Sequence, residues 1–282
     1  MDGDHLRNLA SAAARRIRRK DASMDTNGIS KAGWTIPALL YAAFLAISIA
    51  GYLVPGALIS DPSLMGQFHF NSALNAVAGA AFLASLLPRR IRNGSQSVAA
   101  MAYLFIIYNM IPLIIITGSG WARASCAALA AAAAGAFAYD LRNGASIRQV
   151  ELTRGGRLAS GIVLALFSAL FMARGAANVV GFARGEVPIG EFAVSVADVA
   201  LCSLWLAVAI AVLADRPFGR RAVFPAYLHA SALFVSLLAF LAINPVLTGE
   251  AVSIVDVGAI AIMSLPFVAG SGLLAARVRR EA

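Results

Sequence analysis

The sequence predicts an all-α polytopic integral membrane protein with eight transmembrane helices. Three observations carry this: 60% of the 282 residues are hydrophobic against 13% charged, the mean hydropathy is +0.78, and the apolar residues gather into eight runs parted by short polar joins. A soluble domain carries about 45–50% apolar and about 25% charged residues. A helix needs about 20 predominantly apolar residues to cross about 30 Å of hydrocarbon.

Residues 1–32 form a basic segment in which Leu6, Leu9, Ala13 and Ile17 share one helical face above a cluster of arginines. The apolar run that starts at Trp34 is too long and too far from the start for the apolar region of a cleaved signal, which spans about 7–15 residues. It reads as an uncleaved span, and the basic segment as an anchor on anionic lipid at the cytoplasmic face. Four runs, 34–55, 68–87, 98–117 and 122–139, make a first four-helix half within 33–140. A polar loop, 141–157, leads to a second half over 158–276 with runs at 158–178, 192–214, 222–243 and 251–276, and a basic tail closes at 277–282. Asn93-Gly94, Asn143-Gly144, Asp215-Arg216-Pro217 and Asn244-Pro245 mark the joins with residues that turns prefer.

Eight crossings that begin in the cytoplasm put 20 of the 23 lysines and arginines on one side, leaving Arg123, Arg174 and Arg184 to the other. That asymmetry is the positive-inside pattern, so both termini are expected in the cytoplasm. Arginine in place of lysine and abundant alanine suit the inner membrane of a bacterium. The net charge of +9 lies in the loops and termini and speaks for a membrane surface, with no nucleic acid as partner.

A shift of 124 residues lays Gly66-Gln67-Phe68 on Gly190-Glu191-Phe192, Ala102-Tyr103-Leu104 on Ala226-Tyr227-Leu228, and Gly51 on Gly175. An internal repeat of four spans would make the halves parallel, related by an axis along the membrane normal, with a cleft between them. Chance likeness between two apolar sequences is the competing explanation. The alanine-rich fourth span, Ala127 to Ala134 broken only by Leu129, suits close helix packing.

Several chemistries are excluded. Cys126 and Cys202 lie apart in apolar runs, which removes a disulfide framework or a cysteine zinc site. The two lysines, Lys20 and Lys31, precede the first span, so no intramembrane lysine imine can form. A nucleotide-binding G-x-x-x-x-G-K-[ST] motif is missing. His69 and His229 sit towards opposite faces and cannot share a haem, so no cofactor is expected.

Ionisable groups inside hydrocarbon cost at least about 2.5–3.5 kcal/mol, so each needs a partner, a watery cavity or a function. At about 1.5 Å per residue, Arg174, Asp198 and Asp256 fall at one level, roughly 6–9 Å below the outer boundary. Gln67, Asn71 and Asn75 step by four along the second span, and Glu191, Ser195, Asp198 and Cys202 form a matching stripe on the sixth. Asn109, Asn178 and His69 add polarity to the outer half, whereas His229 lies about 10 Å above the inner face and reads as a core histidine. Pro112 and Pro266 each free a carbonyl within a span, so bends are expected there.

Arg174 and Asp198 on adjacent helices read either as a structural ion pair with asparagines as interhelical glue, or as a binding site. In the second case Arg174, Asp198, Asp256, Asn71, Asn75 and Asn109 hold a solute or a proton, with Asn178, Glu191, Gln67, His69 and His229 in support. One arginine facing two aspartates would leave a carboxyl to carry a proton. Three functions fit: a proton-coupled secondary transporter or permease for a small solute; a non-catalytic subunit or assembly factor of a membrane complex, with a second copy of the chain another partner; or an intramembrane enzyme performing an acid-initiated isomerisation or cyclisation. No metal triad, Ser/His pair or DDxxD cluster accompanies the aspartates, which weighs against hydrolysis and prenyl transfer.

Overall fold

A computed structural model describes residues 35–59, 61–86, 95–143, 149–248 and 251–280. The basic segment 1–32, the Arg89 to Asn93 loop, residues 144–148 and the Gln67 side chain lie outside the described residues. Contacts divide the chain into Met1–Leu39 and Leu40–Ala282. The described part of the first unit is the opening of a helix, on which Ile36 and Leu39 are exposed.

Eight long helices make up the described structure: α1 (Thr35–Leu53), α2 (Pro62–Ser85), α3 (Ser95–Ile116), α4 (Gly120–Asn143), α5 (Arg154–Ala183), α6 (Ile189–Leu213), α7 (Pro217–Thr248) and α8 (Ile254–Arg280). All but α2 are long and apolar enough to cross a membrane, so the protein is a multi-pass membrane protein. The Gln67, His69, Asn71 and Asn75 positions lower the apolarity of α2. Several helices overrun the expected apolar runs, α2 starting at Pro62 and α5 covering Arg154–Ala183, and two further boundaries bear on the expected joins and site. Helix α7 runs through Asn244-Pro245 to Thr248, because a proline in the last turns removes one hydrogen bond without stopping a helix about to end. Helix α8 starts only at Ile254.

Local chemistry sets the helix ends. Asp61 caps α2, its carboxylate accepting from the Ser63 amide at 2.9 Å, with Pro62 in the first turn. The Thr153 hydroxyl accepts from the Gly156 amide at 3.2 Å to cap α5. Gly185 closes the α5–α6 turn at φ 76° and Asp215 the α6–α7 turn at φ 55°.

Neighbouring helices pair as antiparallel hairpins. Tyr41 meets Phe82 at one end of α1–α2, with ring centroids 5.5 Å apart, and Tyr52 meets His69 at the other, 4.3 Å apart. In α5–α6, Gly161 lies against Leu213 and Gly175 against Ser195 and Val199, where any side chain would collide. The two larger of three apolar clusters among the described residues hold the bundle. One joins Tyr41, Phe44, Phe82, Tyr103, Phe105 and Phe137 of α1–α4; the other joins Leu164, Trp205, Tyr227, Phe234, Phe267 and Leu274 of α5–α8. Outside, Leu158, Ile162, Leu166 and Leu170 step by four along α5 as an exposed apolar stripe, the surface a lipid-facing helix presents.

At the arginine-rich end, Asp215 accepts from Arg220 Nε at 2.9 Å and pairs with Arg157, tying α5 to the α6–α7 turn. Arg221 donates to the Leu141 carbonyl and Arg277 to that of Glu151. The hydrogen bonds from Arg220 and Arg157 hold the Asp215 carboxyl below its ordinary value. A lowered folded value means stabilisation that is complete above the unfolded pKa of about 3.9 and fades as pH falls through the folded one. Asp215→Asn, which tolerates the positive φ, is therefore expected to melt below wild type at pH 7, with the gap narrowing as pH falls below the unfolded value of about 3.9. Melting curves across pH check this; a gap of constant size down to pH 3 contradicts it.

Candidate functional site

A cavity of about 410 Å³ lies between the two apolar clusters and is lined by α1, α2, α3, α5, α6 and α7. It occupies the half of the bundle away from the arginine-rich loops, since its lining comes from the late parts of α1, α3, α5 and α7 and the early parts of α2 and α6. Its polar groups form a belt of Asn71, Asn75, Asn109, Arg174, Asn178 and Asp198. Phe105, Phe171, Trp205 and Phe234 form an aromatic floor further in, and Glu191 stands exposed at the mouth in the first turn of α6.

Helix packing fixes this belt. Because Gly175 sits against Ser195 and Val199, its neighbour Arg174 is brought to the level of Asp198. Asn178, one turn further along α5, donates from Nδ2 to the Ser195 hydroxyl at 2.9 Å. Asn109 spends its Nδ2 on the Phe105 carbonyl of its own helix at 2.8 Å. Pro112, four residues after Tyr108, lines the same wall and leaves the Tyr108 carbonyl without its helical donor.

Arg174 and Asp198 share the cavity without forming an ion pair; the ion pairs among the described residues are those of Asp215. Asp198 Oδ1 instead accepts the Tyr108 hydroxyl at 3.0 Å. A guanidinium left open presents a planar fork of donors suited to a carboxylate, sulfonate or phosphate. A carboxylate held by one phenol keeps lone pairs for a proton or a cationic group.

The structure thus brings together seven of the residues singled out in the sequence: Asn71, Asn75, Asn109, Arg174, Asn178, Glu191 and Asp198. It leaves three others elsewhere. Asp256 is exposed in the first turn of α8, its amide donating to the Ser253 hydroxyl at 3.3 Å, and does not line the cavity. The arrangement of one arginine between two aspartates is therefore not formed, because α8 begins three residues after the apolar run does. His69 packs edge-on against Tyr52 of α1, outside the lining. His229 is fully buried against Tyr108 and Trp205.

Sequence reasoning missed Tyr108 and the aromatic floor, since an aromatic residue within an apolar span looks like any other core residue. The one signal for Tyr108 was its place beside Asn109 and one turn before Pro112. Among the described residues no cluster of three His, Cys, Asp or Glu side chains is placed to hold a metal. Compared with models of known families, with curated proteins and with solved structures, the chain matches none.

The cavity makes a labelling prediction. With Cys126 and Cys202 replaced by serine, a cysteine at Asn71 or Asn178 is expected to react with a small polar maleimide in the folded protein. One at Met110, which is 0% exposed in the α3 core, is expected to stay unlabelled until denaturation. Equal labelling at all three positions contradicts an organised cavity.

Proposed function

We propose that the protein is a secondary transporter for a small solute bearing an anionic group, with the cavity as its binding site and Asp198 as the residue that carries a coupling proton. The observation that carries this reading is that Arg174 and Asp198 line one cavity and make no direct ion pair. Opposite charges on adjacent helices that served only to hold the bundle would lower their cost by closing on one another. Held open, they suit an anionic group at Arg174 and a proton at Asp198, with Asn71 and Asn75 offering further hydrogen bonds. The aromatic floor suits an apolar body behind the anionic head. A volume of about 410 Å³ falls within the range of about 300–1,000 Å³ usual for small-molecule sites.

On this reading α2 crosses the membrane with the other seven helices. It runs back along α1 from Tyr52–His69 to Tyr41–Phe82, and two of its polar positions, Asn71 and Asn75, face the cavity. Eight crossings place both termini and the arginine-rich loops in the cytoplasm, the cavity in the outer half of a bacterial inner membrane, and the loop arginines within reach of anionic lipid. Parallel four-helix repeats agree with the packing. Exchanging each helix for the one four places on turns the α2–α7 contact into α3–α6 and the α3–α4 contact into α7–α8. Gly51 and Gly175, which the same shift superposes, each lie close to the following helix, Gly51 against Phe68 and Ser72 of α2 and Gly175 against Ser195 and Val199 of α6. Repeats of this kind set a binding site at their interface, where one half can rock against the other.

Protein in liposomes loaded with a pH-sensitive dye tests this, with benzenesulfonate or phenyl phosphate added outside; as anions that stay ionised, they do not carry protons through the lipid. Solute-dependent proton movement is expected from wild type. A loss of at least about tenfold, equivalent to about 1.4 kcal/mol, is expected in Asp198→Asn and in Arg174→Gln, with insertion and melting preserved. Flux equal to wild type in both single variants contradicts the proposal.

A further inference from the structure

Near the aromatic floor, several buried polar side chains have no hydrogen-bond partner among the described residues. His229, midway along α7, is 0% exposed, and among the described residues neither ring nitrogen has a partner. The indole Nε1 of Trp205 on α6 is equally unpaired, and its ring centroid lies 5.6 Å from the imidazole. The Tyr108 ring packs on the same imidazole at 6.2 Å, while its hydroxyl reaches Asp198 at 3.0 Å. Ser168 of α5 is fully buried with an unpaired hydroxyl too. The register set by Gly161 on Leu213 and Gly175 on Val199 places it opposite α6 near Cys202 and Leu206, close to the level of Trp205.

The fold itself offers an apolar counterpart. The shift that lays Tyr103 on Tyr227 also lays Phe105 on His229 and Phe44 on Ser168. Phe44 and Phe105 are buried and meet edge-on, their centroids 6.1 Å apart. Packing at this place in a four-helix half is thus satisfied by hydrocarbon, so burial alone does not explain a histidine and a serine in the second half. A neutral imidazole has one donor and one acceptor, and an indole has one donor. Buried groups of this kind are paired in the great majority of proteins, with ordered water serving where protein does not.

We infer that His229, Trp205 and Ser168 form an internal water site beside the cavity floor, and that through Tyr108 this site makes His229 the inner acceptor of the proton carried by Asp198. The proton step rests on the transporter reading of the cavity; the water site does not. The step balances without any other reactant. The protonated Asp198 carboxyl gives its proton to the Tyr108 oxygen, and the Tyr108 hydroxyl passes its own proton through water to the free ring nitrogen of His229. Asp198 is left as carboxylate, Tyr108 neutral and His229 as imidazolium. The groups around this route are Tyr108 on α3, Arg174 on α5, Asp198 and Cys202 on α6, and Tyr227 on the same helix as His229; α8 presents Phe267 to Trp205.

Two readouts test the inference on the full chain in lipid bilayers. The first is solid-state NMR of protein labelled with ¹⁵N-histidine, following magnetisation from water to ring nitrogens. The chain has three histidines, His5, His69 and His229, and the His229 signals are identified by their loss in His229→Phe. Transfer from water to His229 is expected, and its absence overturns the water site. The second is the number of protons moved per benzenesulfonate in dye-loaded liposomes. It is expected to fall at least about tenfold in His229→Phe, which restores the apolar residue of the other half, and likewise in His229→Gln, which keeps hydrogen-bonding capacity but cannot carry the proton. A ratio equal to wild type in either folded variant overturns the proton step. Wild type that moves no protons with benzenesulfonate counts against the transporter reading, and the NMR result then decides the water site by itself.

Discussion

The physical constraint around which the proposed site is arranged is a pair of opposite charges that share one cavity and make no ion pair. A charged side chain within hydrocarbon is expensive, and the cheapest remedy is closure onto a counter-charge. Arg174 and Asp198 stand on helices packed so tightly that Gly175 has no room for a side chain, yet they make no ion pair. Tyr108, from the other half of the chain, takes the Asp198 carboxylate instead. The contrast lies at the arginine-rich end, where Asp215 closes on both Arg157 and Arg220 and ties helices together.

The architecture that permits this is two apolar clusters with a polar seam between them. Each cluster is filled by aromatic side chains drawn almost wholly from its own four helices, so each half has a core of its own and the interface is free to be polar. Of the helices that line the seam, α2 and α6 carry polar stripes at helical spacing, and α2 is the helix that falls outside the seven apolar enough to span a membrane. The belt of amides and charges lies over a floor of Phe105, Phe171, Trp205 and Phe234, an amphipathic vessel that neither half could build alone.

Much of this was legible in the sequence, and what escaped did so for physical reasons. Spans follow from apolar length, because lipid leaves the backbone no alternative to the helix. The polar stripes were visible as well, since helical spacing alone brings Asn71, Asn75, Ser195 and Asp198 to single faces. Asp256 was misplaced because hydropathy counts Ala251 and Val252 as span, whereas the helix waits for Ser253 to accept the Asp256 amide, leaving the aspartate in the exposed first turn. Asn244-Pro245 looked like a stop and lies inside α7. Tyr108 escaped because spacing shows which residues share a face and not which helix that face meets; its partner is 90 residues away. Sequence left an Arg174–Asp198 ion pair and an open site as alternatives, and the packed geometry forms no ion pair between them.

The central claim is that these two charges serve a solute and not the fold. The most direct measurement replaces both at once by apolar residues of similar size, Arg174→Met with Asp198→Leu, and follows melting and benzenesulfonate-dependent proton flux in the same preparation. The account predicts a variant that melts at or above the wild-type temperature, because two costly groups have left the bilayer, and that moves no solute. A variant that loses stability while its remaining folded fraction transports as wild type would show the charges to be structural, and would contradict the account.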